Sequence, residues 1–565
     1  MLTFISGLAA RRVTDMERNP SALSKTRFDL VVIGGGINGA ATAREAALRG
    51  LKVALVEARD FASGTSSRSS KLIHGGLRYL EQFDFRLVRE ARRERRLLRD
   101  LAPHLAHPLP FVLPIYRGDP YFPLKIRAGL TLYDLLGNLG RHDRHHMLTT
   151  GEALKLAPVL QGERLRGAAI YHDSQTDDAR LTLEYILDAA DHGAVVLNYT
   201  EIHALDLESY AGNREGKVVT AEAVDGVTGK RYEVSARHWV NATGPWVDHL
   251  RALVPGFDGS RTVRLTKGTH LILPQVDPRH ALFAAISSHK RIFLMLPWNN
   301  HSLLGTTDTD FEGDPGSVRP DRADIEYLLN AVNRVLREPL RAEQVVGSFA
   351  GLRALALEPG QSPSANTREH RFHRDPWANN FISICGGKLT TARALAERLV
   401  DQIVDQLGCS PGLSVRRHPS RQTPLPGGHT GPLEAFVRTS TERAAAEFGL
   451  PRTVAERIVR TYGSRWTKVL APIRENPRLA EPLQGAPTLL AAEVEFAIRQ
   501  EMAMKLEDFM LRRSGLNWAA CPPAGGESAP AVAAIFASRF GWDAEQRKAA
   551  LDSFSRLAST GVREG

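Results

Sequence analysis

A glycine-rich segment near the start of the chain constrains its fold more than any other feature. The run "FDLVVIGG" from Phe28 has the apolar character of a buried strand, "GINGAATAREAALRG" that of a helix, and "LKVALVE" that of a second strand. Gly34, Gly36 and Gly39 form GxGxxG at the strand-to-helix turn, and Glu57 closes the second strand. This βαβ unit predicts an α/β domain that binds a dinucleotide.

Each of these residues has its own role in the prediction. Gly34 permits a tight turn, Gly36 lets a pyrophosphate approach the backbone, and Gly39 lets the helix pack closely against the strand. The helix N-terminus attracts the phosphates, and Glu57 would accept hydrogen bonds from the adenosine ribose. Because NAD and FAD both bind to such a unit, the fingerprint alone leaves the cofactor open.

Three later segments favour FAD. The loop "FASGTSSRSSKLIHGGLRY" supplies hydroxyls and glycines that suit a second phosphate and a flat ring. "VNATGPW" ends a strand-like run in small residues, and "ICGGKLTT" places Lys388 before a helix start, where cation and helix dipole would stabilise a reduced flavin. The predicted contacts of FAD are Gly34, Gly36, Ile37, Asn38, Gly39, Glu57, Thr65, Ser66, Ser70, Lys71, His74, Gly75, Gly76, Ala242, Gly244, Gly387, Lys388, Leu389 and Thr390.

The rest of the chain predicts further domains. Its 565 residues exceed one ordinary domain. The short runs "GTHLILP", "RIFLMLPW" and "SLLGTTD" predict an antiparallel sheet. We expect a loose N-terminal extension over residues 1–27, a Pro/Gly/Ser-rich linker over 409–430 and a helical domain over 431–565. Apolar residues at helical spacing predict one packed helix face that contains Val494, Ile498, Met502, Leu506 and Phe509.

Composition narrows the setting of the protein. Lys and Arg outnumber Asp and Glu by 73 to 63, a net charge of +10 that favours anionic partners. Cys385, Cys409 and Cys521 show no CxxC spacing, as in reducing compartments. No apolar run is long enough for a membrane span, and the first twenty residues lack the order of a signal peptide. We expect a cytoplasmic location.

Several motifs together resemble one known family. After the GxGxxG unit and "SSKLIHGGLRYLE", the chain contains "DDARL", "NATGPW", "KGTH", "GTTD", "GLR" and "GGKLTT" in that order. From about Phe28 onward it resembles FAD-dependent glycerol-3-phosphate dehydrogenase, whose fold is similar to that of D-amino acid oxidase. The resemblance implies a Rossmann-like FAD-binding domain interleaved with an antiparallel-sheet substrate cap over residues 28–408, followed by an α-helical C-terminal domain.

The resemblance also implies a reaction, the oxidation of sn-glycerol 3-phosphate at C2 to dihydroxyacetone phosphate. A hydride would pass to flavin N5 and the electrons then to a membrane quinone. Carried over position by position, the residues that would line the substrate site are Arg78, Tyr79, Arg353, Lys388 and Thr390.

We assign roles within this set from charge and acidity. Arg78, Tyr79 and Lys388 are expected at the phosphate, because two cations and a phenol give several charge-assisted hydrogen bonds. Arg353 is expected near the C2 oxygen. His270 of "KGTH" is the candidate general base, since imidazole titrates near working pH.

Three other functions stay open at this point. An oxidase would use the same substrate half-reaction but pass electrons to oxygen. A flavin oxidase of 2-hydroxy acids or amines would share the fold but contain a carboxylate clamp. A non-enzymatic surface-binding scaffold would retain the dinucleotide only for its structure.

The basic segments bear on partners. The run "RLVREARRERRLLRD" is better explained as a solvated helix face than as a nucleic-acid site. Residues 104–141 combine apolar side chains with Lys125, Arg127 and Arg141, a pattern suited to a membrane interface. We therefore expect peripheral attachment to the anionic inner face of the cell membrane, no nucleic acid and no metal. Whether the chain forms a homo-oligomer is left open.

Overall fold

The computed structural model describes residues 16–137, 144–209, 216–286, 291–357, 369–408, 417–515 and 527–558. The strands of these residues are, in chain order, β1 (Arg27–Ile33), β2 (Val53–Val56), β3 (Leu72–Ile73), β4 (His107–Tyr116), β5 (His146–Leu148), β6 (Leu165–Gln175), β7 (Val195–Leu197), β8 (Thr200–Ser209), β9 (Gly216–Asp225), β10 (Arg231–Asn241), β11 (Val263–Pro274), β12 (Ala281–Ile286), β13 (Arg291–Trp298), β14 (His301–Gly305), β15 (Thr309–Asp310), β16 (Gly347–Ala356), β17 (Arg371–Arg374), β18 (Phe381–Cys385), β19 (Pro482–Leu483) and β20 (Ala486–Leu490).

The α-helices of the same residues are α1 (Ala22–Lys25), α2 (Ile37–Leu48), α3 (Phe85–Leu101), α4 (Pro123–Gly137), α5 (Thr150–Leu156), α6 (Asp178–Asp191), α7 (Val247–Arg251), α8 (Arg322–Val332), α9 (Ala392–Leu407), α10 (Leu433–Phe448), α11 (Arg452–Tyr462), α12 (Trp466–Leu470), α13 (Ala491–Glu501), α14 (Leu506–Arg512), α15 (Ala529–Phe540) and α16 (Ala544–Ala558).

One sheet carries the predicted dinucleotide unit. Its strand order is β17-β18-β10-β1-β2-β7, and β1 pairs in parallel with both β2 and β10. Helix α2 follows β1 and packs on α6 and α9, because its alanines let neighbouring helices approach closely. The strand, helix and strand of the βαβ unit thus form as the sequence predicts, and the α/β fold class is confirmed.

A second sheet forms the cap. Its order is β15-β11-β14-β13-β12-β4-β6-β3, and all its pairs are antiparallel except β4 with β12. Its strands lie between residues 72 and 356 of the chain, while those of the first sheet lie at 27–56, 195–241 and 371–385. The chain therefore passes back and forth between two sheets, which confirms the interleaved cap.

The C-terminal region is helical, with one short hairpin of β19 and β20. The predicted apolar face is buried, but it does not belong to one helix. Helix α13 ends before Met502, which has a φ of 53°, and α14 starts at Leu506. Asp508 accepts hydrogen bonds from the backbone N–H groups of Met504 and Lys505, so its carboxylate caps the new helix.

The prediction of a loose extension over residues 1–27 is wrong for its described part, 16–27. The Arg18 guanidinium donates to the carbonyl oxygen of Asn198 at 2.8 Å and ion-pairs with Asp225 at 2.6 Å. Leu23 is fully buried. These polar and apolar contacts fasten the segment to the first sheet, while residues 1–15 lie outside the described ranges.

The expected linker also packs against the body of the protein in its described part. Leu425 is fully buried in the core beside α2 and α6. The Gly427 N–H donates to Glu184 of α6 at 3.1 Å. Residues 417–430 thus connect the two regions through fixed contacts, and residues 409–416 lie outside the described ranges.

Candidate active site

A cavity of about 880 Å³ lies between the two sheets. This volume is near the upper end of the range for small-molecule and cofactor sites. Its wall combines the glycine turn after β1, the loops after β2 and β10, the segment that precedes α9, and side chains of the cap strands. The predicted dinucleotide turn and the predicted substrate residues therefore meet in one space.

Two positions at the turn between β1 and α2, Gly34 and Gly39, have room only for glycine. Gly34 has a φ of 113°, and a Cβ there would lie 2.7 Å from the Ala242 carbonyl oxygen. A Cβ on Gly39 would lie 1.9 Å from the Gly34 carbonyl oxygen. The N–H of Ile37 donates to Ser66 Oγ at 2.9 Å, so the serine loop closes over the start of α2. Gly36, Ile37 and Ser66 line the cavity.

Glu57 lies where a ribose partner is expected. Its carboxylate accepts hydrogen bonds from the N–H groups of Gly35 at 2.7 Å and Arg59 at 2.9 Å, which fix its orientation. Burial raises the pKa of this carboxyl. Glu57 lines the cavity, so the acid and the glycine turn are in register.

The other end of the cofactor region also fits a bound group. Asn38 at the start of α2 donates to the Gly386 carbonyl at 3.1 Å, and its Oδ1 is a buried atom with no hydrogen-bond partner among the described residues. A buried acceptor of this kind is normally satisfied. The predicted contacts that line this part of the wall are Thr65, Ser70, His74, Gly76, Ala242, Gly244, Gly387, Lys388, Leu389 and Thr390.

Three predicted cofactor contacts lie behind the cavity wall instead. Lys71 is buried and pairs with Asp178 at 2.6 Å. The Gly75 N–H donates to Asp173 at 3.0 Å, and Gly39 packs under the Gly34 carbonyl. Their contacts hold the loops that form the wall, and none of the three faces the cavity itself.

The predicted substrate residues converge at the cap side. Lys388 Nζ lies 4.0 Å from the centre of the Tyr79 ring, a cation–π contact. Thr390 Oγ1 accepts a hydrogen bond from the His74 N–H at 3.2 Å. The Arg353 guanidinium donates to Thr306 Oγ1 at 3.0 Å. The side chain of Arg78 lies outside the described part of the structure.

His270 is held in a closed environment. Its Nε2 is 2.8 Å from Ser70 Oγ, and its ring stacks on Phe349 with centroids 5.0 Å apart. Burial, with Arg353 and Lys71 nearby, lowers its pKa to about 3. The imidazole is therefore neutral at working pH, but it does not titrate near working pH as the sequence led us to expect, so it is a weaker base than predicted.

This lowered pKa predicts a pH effect on stability. Because unfolded His270 titrates near 6.5 and folded His270 near 3, the unfolded state binds the proton first as pH falls below 6.5. As the pH falls from 7 to 5, this group should lower the free energy of unfolding by about 2 kcal/mol. In denaturant titrations, the free energy of unfolding of His270→Gln should therefore fall by about 2 kcal/mol less than that of the parent over the same interval. Equal falls in the variant and the parent would contradict this prediction.

Sequence patterns missed several residues of the wall. Arg59, Arg68, Trp246 and Asp173 all line the cavity. Asp173 accepts from the Tyr133 hydroxyl at 3.0 Å and from Arg95 at 2.8 Å. Its place on β6, a few residues before "DDARL", was the available signal.

Possible metal ligands are used elsewhere. In the described ranges, no group of three His, Cys, Asp or Glu side chains is placed to hold a metal ion. Asp308 pairs with Arg353 at 3.3 Å, and His145 pairs with Asp134 at 2.6 Å.

The fold and cavity define a dinucleotide-dependent oxidoreductase with a substrate cap. A family model described as FAD dependent oxidoreductase matches residues 29–402, more than half of the chain. A model for the C-terminal domain of alpha-glycerophosphate oxidase matches residues 419–547.

Individual relatives narrow the family. The chain is 40% identical to glycerol-3-phosphate dehydrogenase of Mycobacterium leprae, over 92% of this chain and 86% of the relative. It is 34% identical to aerobic glycerol-3-phosphate dehydrogenase of Bacillus subtilis, over 97% and 98%. The solved glycerol-3-phosphate dehydrogenase of Bacillus halodurans, complexed with FAD, superposes with a TM-score of 0.75 at 30% identity and covers 96% of both chains. The chain belongs to the FAD-dependent glycerol-3-phosphate dehydrogenase and oxidase family, and its cofactor is FAD.

Proposed function

We propose that the chain oxidises sn-glycerol 3-phosphate at C2 to dihydroxyacetone phosphate, with hydride transfer to flavin N5, and passes the electrons to a membrane quinone. The observation that carries this proposal is the single cavity that joins the glycine turn to Lys388, Tyr79 and Arg353. Cations and a phenol beside a cofactor site suit a phosphorylated alcohol better than an uncharged one.

The segment before α9 and the loop after β3 supply the proposed phosphate ligands. Lys388 lies over the Tyr79 ring, which keeps the ammonium at the cavity wall. The phosphate dianion gains charge-assisted hydrogen bonds from Lys388 and from the Tyr79 hydroxyl. Arg78 is the further cation proposed for this end.

Arg353 and His270 are the proposed residues for removal of the hydroxyl proton. Thr306, Thr307 and Asp308 hold the Arg353 guanidinium at distances of 3.0 to 3.3 Å. Arg353 stabilises the developing alkoxide, and neutral His270, hydrogen-bonded to Ser70, accepts the hydroxyl proton. When bound, FAD supplies the two-electron acceptor for the C2 hydride.

An apolar wall of the cavity supports a lipophilic electron acceptor. Phe111, Tyr171, Phe283 and Leu294 of the cap sheet line the cavity, a surface that a small polar substrate does not need. The Tyr171 ring also contacts Tyr133 of α4 edge to face, with centroids 6.2 Å apart. The apolar region of the cavity thus continues to the underside of α4.

Helix α4 supports attachment to an anionic lipid surface. Leu124 and Leu135 lie on one face of it and are 69% and 74% exposed, and Lys125 and Arg127 flank them. Helix α3 packs against α4 and presents a row of exposed arginines, namely Arg86, Arg89, Arg93 and Arg96. An apolar stripe beside basic residues matches the lipid interface in both chemistry and charge. None of the helices in the described ranges is long and apolar enough to cross a bilayer.

The double change Leu124→Glu with Leu135→Glu tests this surface. Each leucine that leaves the lipid interface should weaken partitioning about tenfold, because it forfeits its apolar burial. Co-sedimentation with anionic phospholipid vesicles measures the effect. Val227→Glu, at an apolar position that is 50% exposed in the turn after β9, is the control. Equal binding of the double variant and the control would reject α4 as the attachment site.

One pair of experiments tests the reaction itself. Under anaerobic conditions, sn-glycerol 3-phosphate should bleach the bound flavin, whereas 2-hydroxy acids and amines should not. With a quinone analogue present, turnover should follow quinone reduction. Hydrogen peroxide formation at the same rate in air would instead establish an oxidase, and a flavin that no substrate bleaches would support a scaffold role.

A further inference from the structure

We propose that the helical C-terminal domain strengthens FAD binding through two positioning residues, Arg512 and Arg513. Neither residue lines the cavity wall. Both act on Asp60, three residues after Glu57, the predicted ribose partner, and so fix the loop that follows β2. The proposal concerns cofactor retention and does not depend on which substrate the enzyme oxidises.

Asp60 is the point of attachment. It is 1% exposed and lies in the loop after β2, more than 450 residues before Arg512 and Arg513 in the chain. The Asn198 side-chain amide also donates to it, at 3.1 Å. Arg512 Nε donates to its carboxylate at 2.6 Å, and Arg513 donates through Nη1 at 2.7 Å and Nη2 at 2.8 Å. A planar guanidinium that grips both carboxylate oxygens fixes direction as well as distance.

The loop between Glu57 and Asp60 is held from a second direction. The Arg59 carbonyl accepts a hydrogen bond from the Tyr199 N–H at 2.9 Å, and the Glu57 carbonyl accepts one from the Thr200 N–H at 2.8 Å. The Tyr199 hydroxyl in turn donates to Asp508 of α14 at 2.7 Å. The loop is therefore bonded to the backbone around the start of β8, and the Tyr199 hydroxyl links that segment to the C-terminal domain.

The C-terminal residues that grip Asp60 are themselves anchored. Arg513 donates to the carbonyl oxygens of Glu501 and Asp508, each at 2.9 Å. The Glu501 carboxylate pairs with Arg180 of α6 at 2.5 Å. The bend at Met502 between α13 and α14 thus lies in a buried charge network that reaches α6.

Loss of either arginine should disturb the loop that carries Asp60. Removal of an arginine leaves the Asp60 carboxylate buried with fewer partners, which forces the loop to rearrange toward water. Glu57 shares this loop, and its carboxylate would lose alignment with the ribose. The loss of one charge-assisted hydrogen bond weakens binding about tenfold or more.

The test is Arg513→Met, which keeps much of the side-chain volume but removes the guanidinium. FAD titration of the apoprotein, followed by flavin fluorescence, should give a dissociation constant raised about tenfold or more. At saturating FAD, turnover of sn-glycerol 3-phosphate should stay within about twofold of the parent, because Arg513 contacts no reacting group. The FAD titration measures cofactor affinity alone, so its result does not depend on which substrate the enzyme oxidises.

Arg457→Met is the matched control. Arg457 pairs with buried Glu493 at 3.0 Å inside the same C-terminal domain and contacts no residue of the loop after β2. It should lower the melting temperature without a change in FAD affinity. If both variants weaken FAD binding equally, the effect is general destabilisation and the proposal falls.

Arg513→Lys covers the case in which the methionine variant fails to fold. It retains the charge but not the two-pronged contact, so it should fold and still weaken FAD binding. The double variant Asp60→Asn with Arg513→Met should recover part of the lost stability, since both charges are gone. An unchanged FAD dissociation constant in Arg513→Lys would overturn the proposal.

Discussion

Gly39→Ala should yield a protein that retains almost no FAD. The new Cβ would lie 1.9 Å from the Gly34 carbonyl oxygen, which is rigid backbone and cannot rotate away. Helix α2 cannot shift to relieve the overlap, because its alanines pack against α6 and α9. Overpacking of this kind costs about 1–3 kcal/mol or more, and the turn that would receive the pyrophosphate must distort.

Flavin absorbance per mole of purified protein measures this result, and thermal unfolding reports the lost stability. Gly151→Ala is the matched control, since Gly151 lies in α5 with open space around its Cβ position. It should retain full flavin and be as stable as the parent or slightly more so. A Gly39→Ala protein with parental flavin content would show that the observed turn is not the cofactor site.

Lys388→Met should lower kcat/KM for sn-glycerol 3-phosphate by about a hundredfold or more. Loss of one partner from a desolvated pair of opposite charges typically costs about 2–5 kcal/mol. The thioether preserves the contact with the Tyr79 ring and removes only the charge. The defect should appear chiefly in KM if the cation contributes equally to ground state and transition state.

Comparison with glycerol separates the two roles that Lys388 can play. Glycerol lacks the phosphate, so its slow oxidation should change little in Lys388→Met if the lysine binds phosphate. A parallel loss with both substrates would assign the lysine to the flavin instead. Lys52→Met, which changes an exposed lysine in the turn before β2, controls for charge alone.

Local patterns predicted the parts of the site that depend on local geometry. The spacing of Gly34, Gly36 and Gly39 between two apolar runs is a property of neighbouring residues, and the structure forms the turn accordingly. The resemblance to the family, carried by its motifs, supplied the expected substrate residues Tyr79, Arg353 and Lys388, which line the same cavity. His270 and Arg353 reach it from β11 and β16, which pair with each other.

Contacts between distant residues account for what the sequence could not show. Lys71 looked like a phosphate ligand because its partner, Asp178, lies 107 residues later. Residues 16–27 looked loose because Arg18 reaches 180 residues ahead to Asn198. The helix that seemed continuous breaks at Met502, where a buried charge network and the Asp508 cap outweigh local helix propensity.

The interleaving of the two sheets has a consequence for synthesis on the ribosome. Strand β18, at Phe381–Cys385, pairs with β10 and completes the first sheet, although that sheet begins at β1. Neither sheet has all its strands until about two thirds of the chain has been synthesised. Until then β10 presents an open edge, the kind of surface that pairs wrongly with other chains. Growth at low temperature or with additional chaperone should therefore raise the soluble yield of this protein.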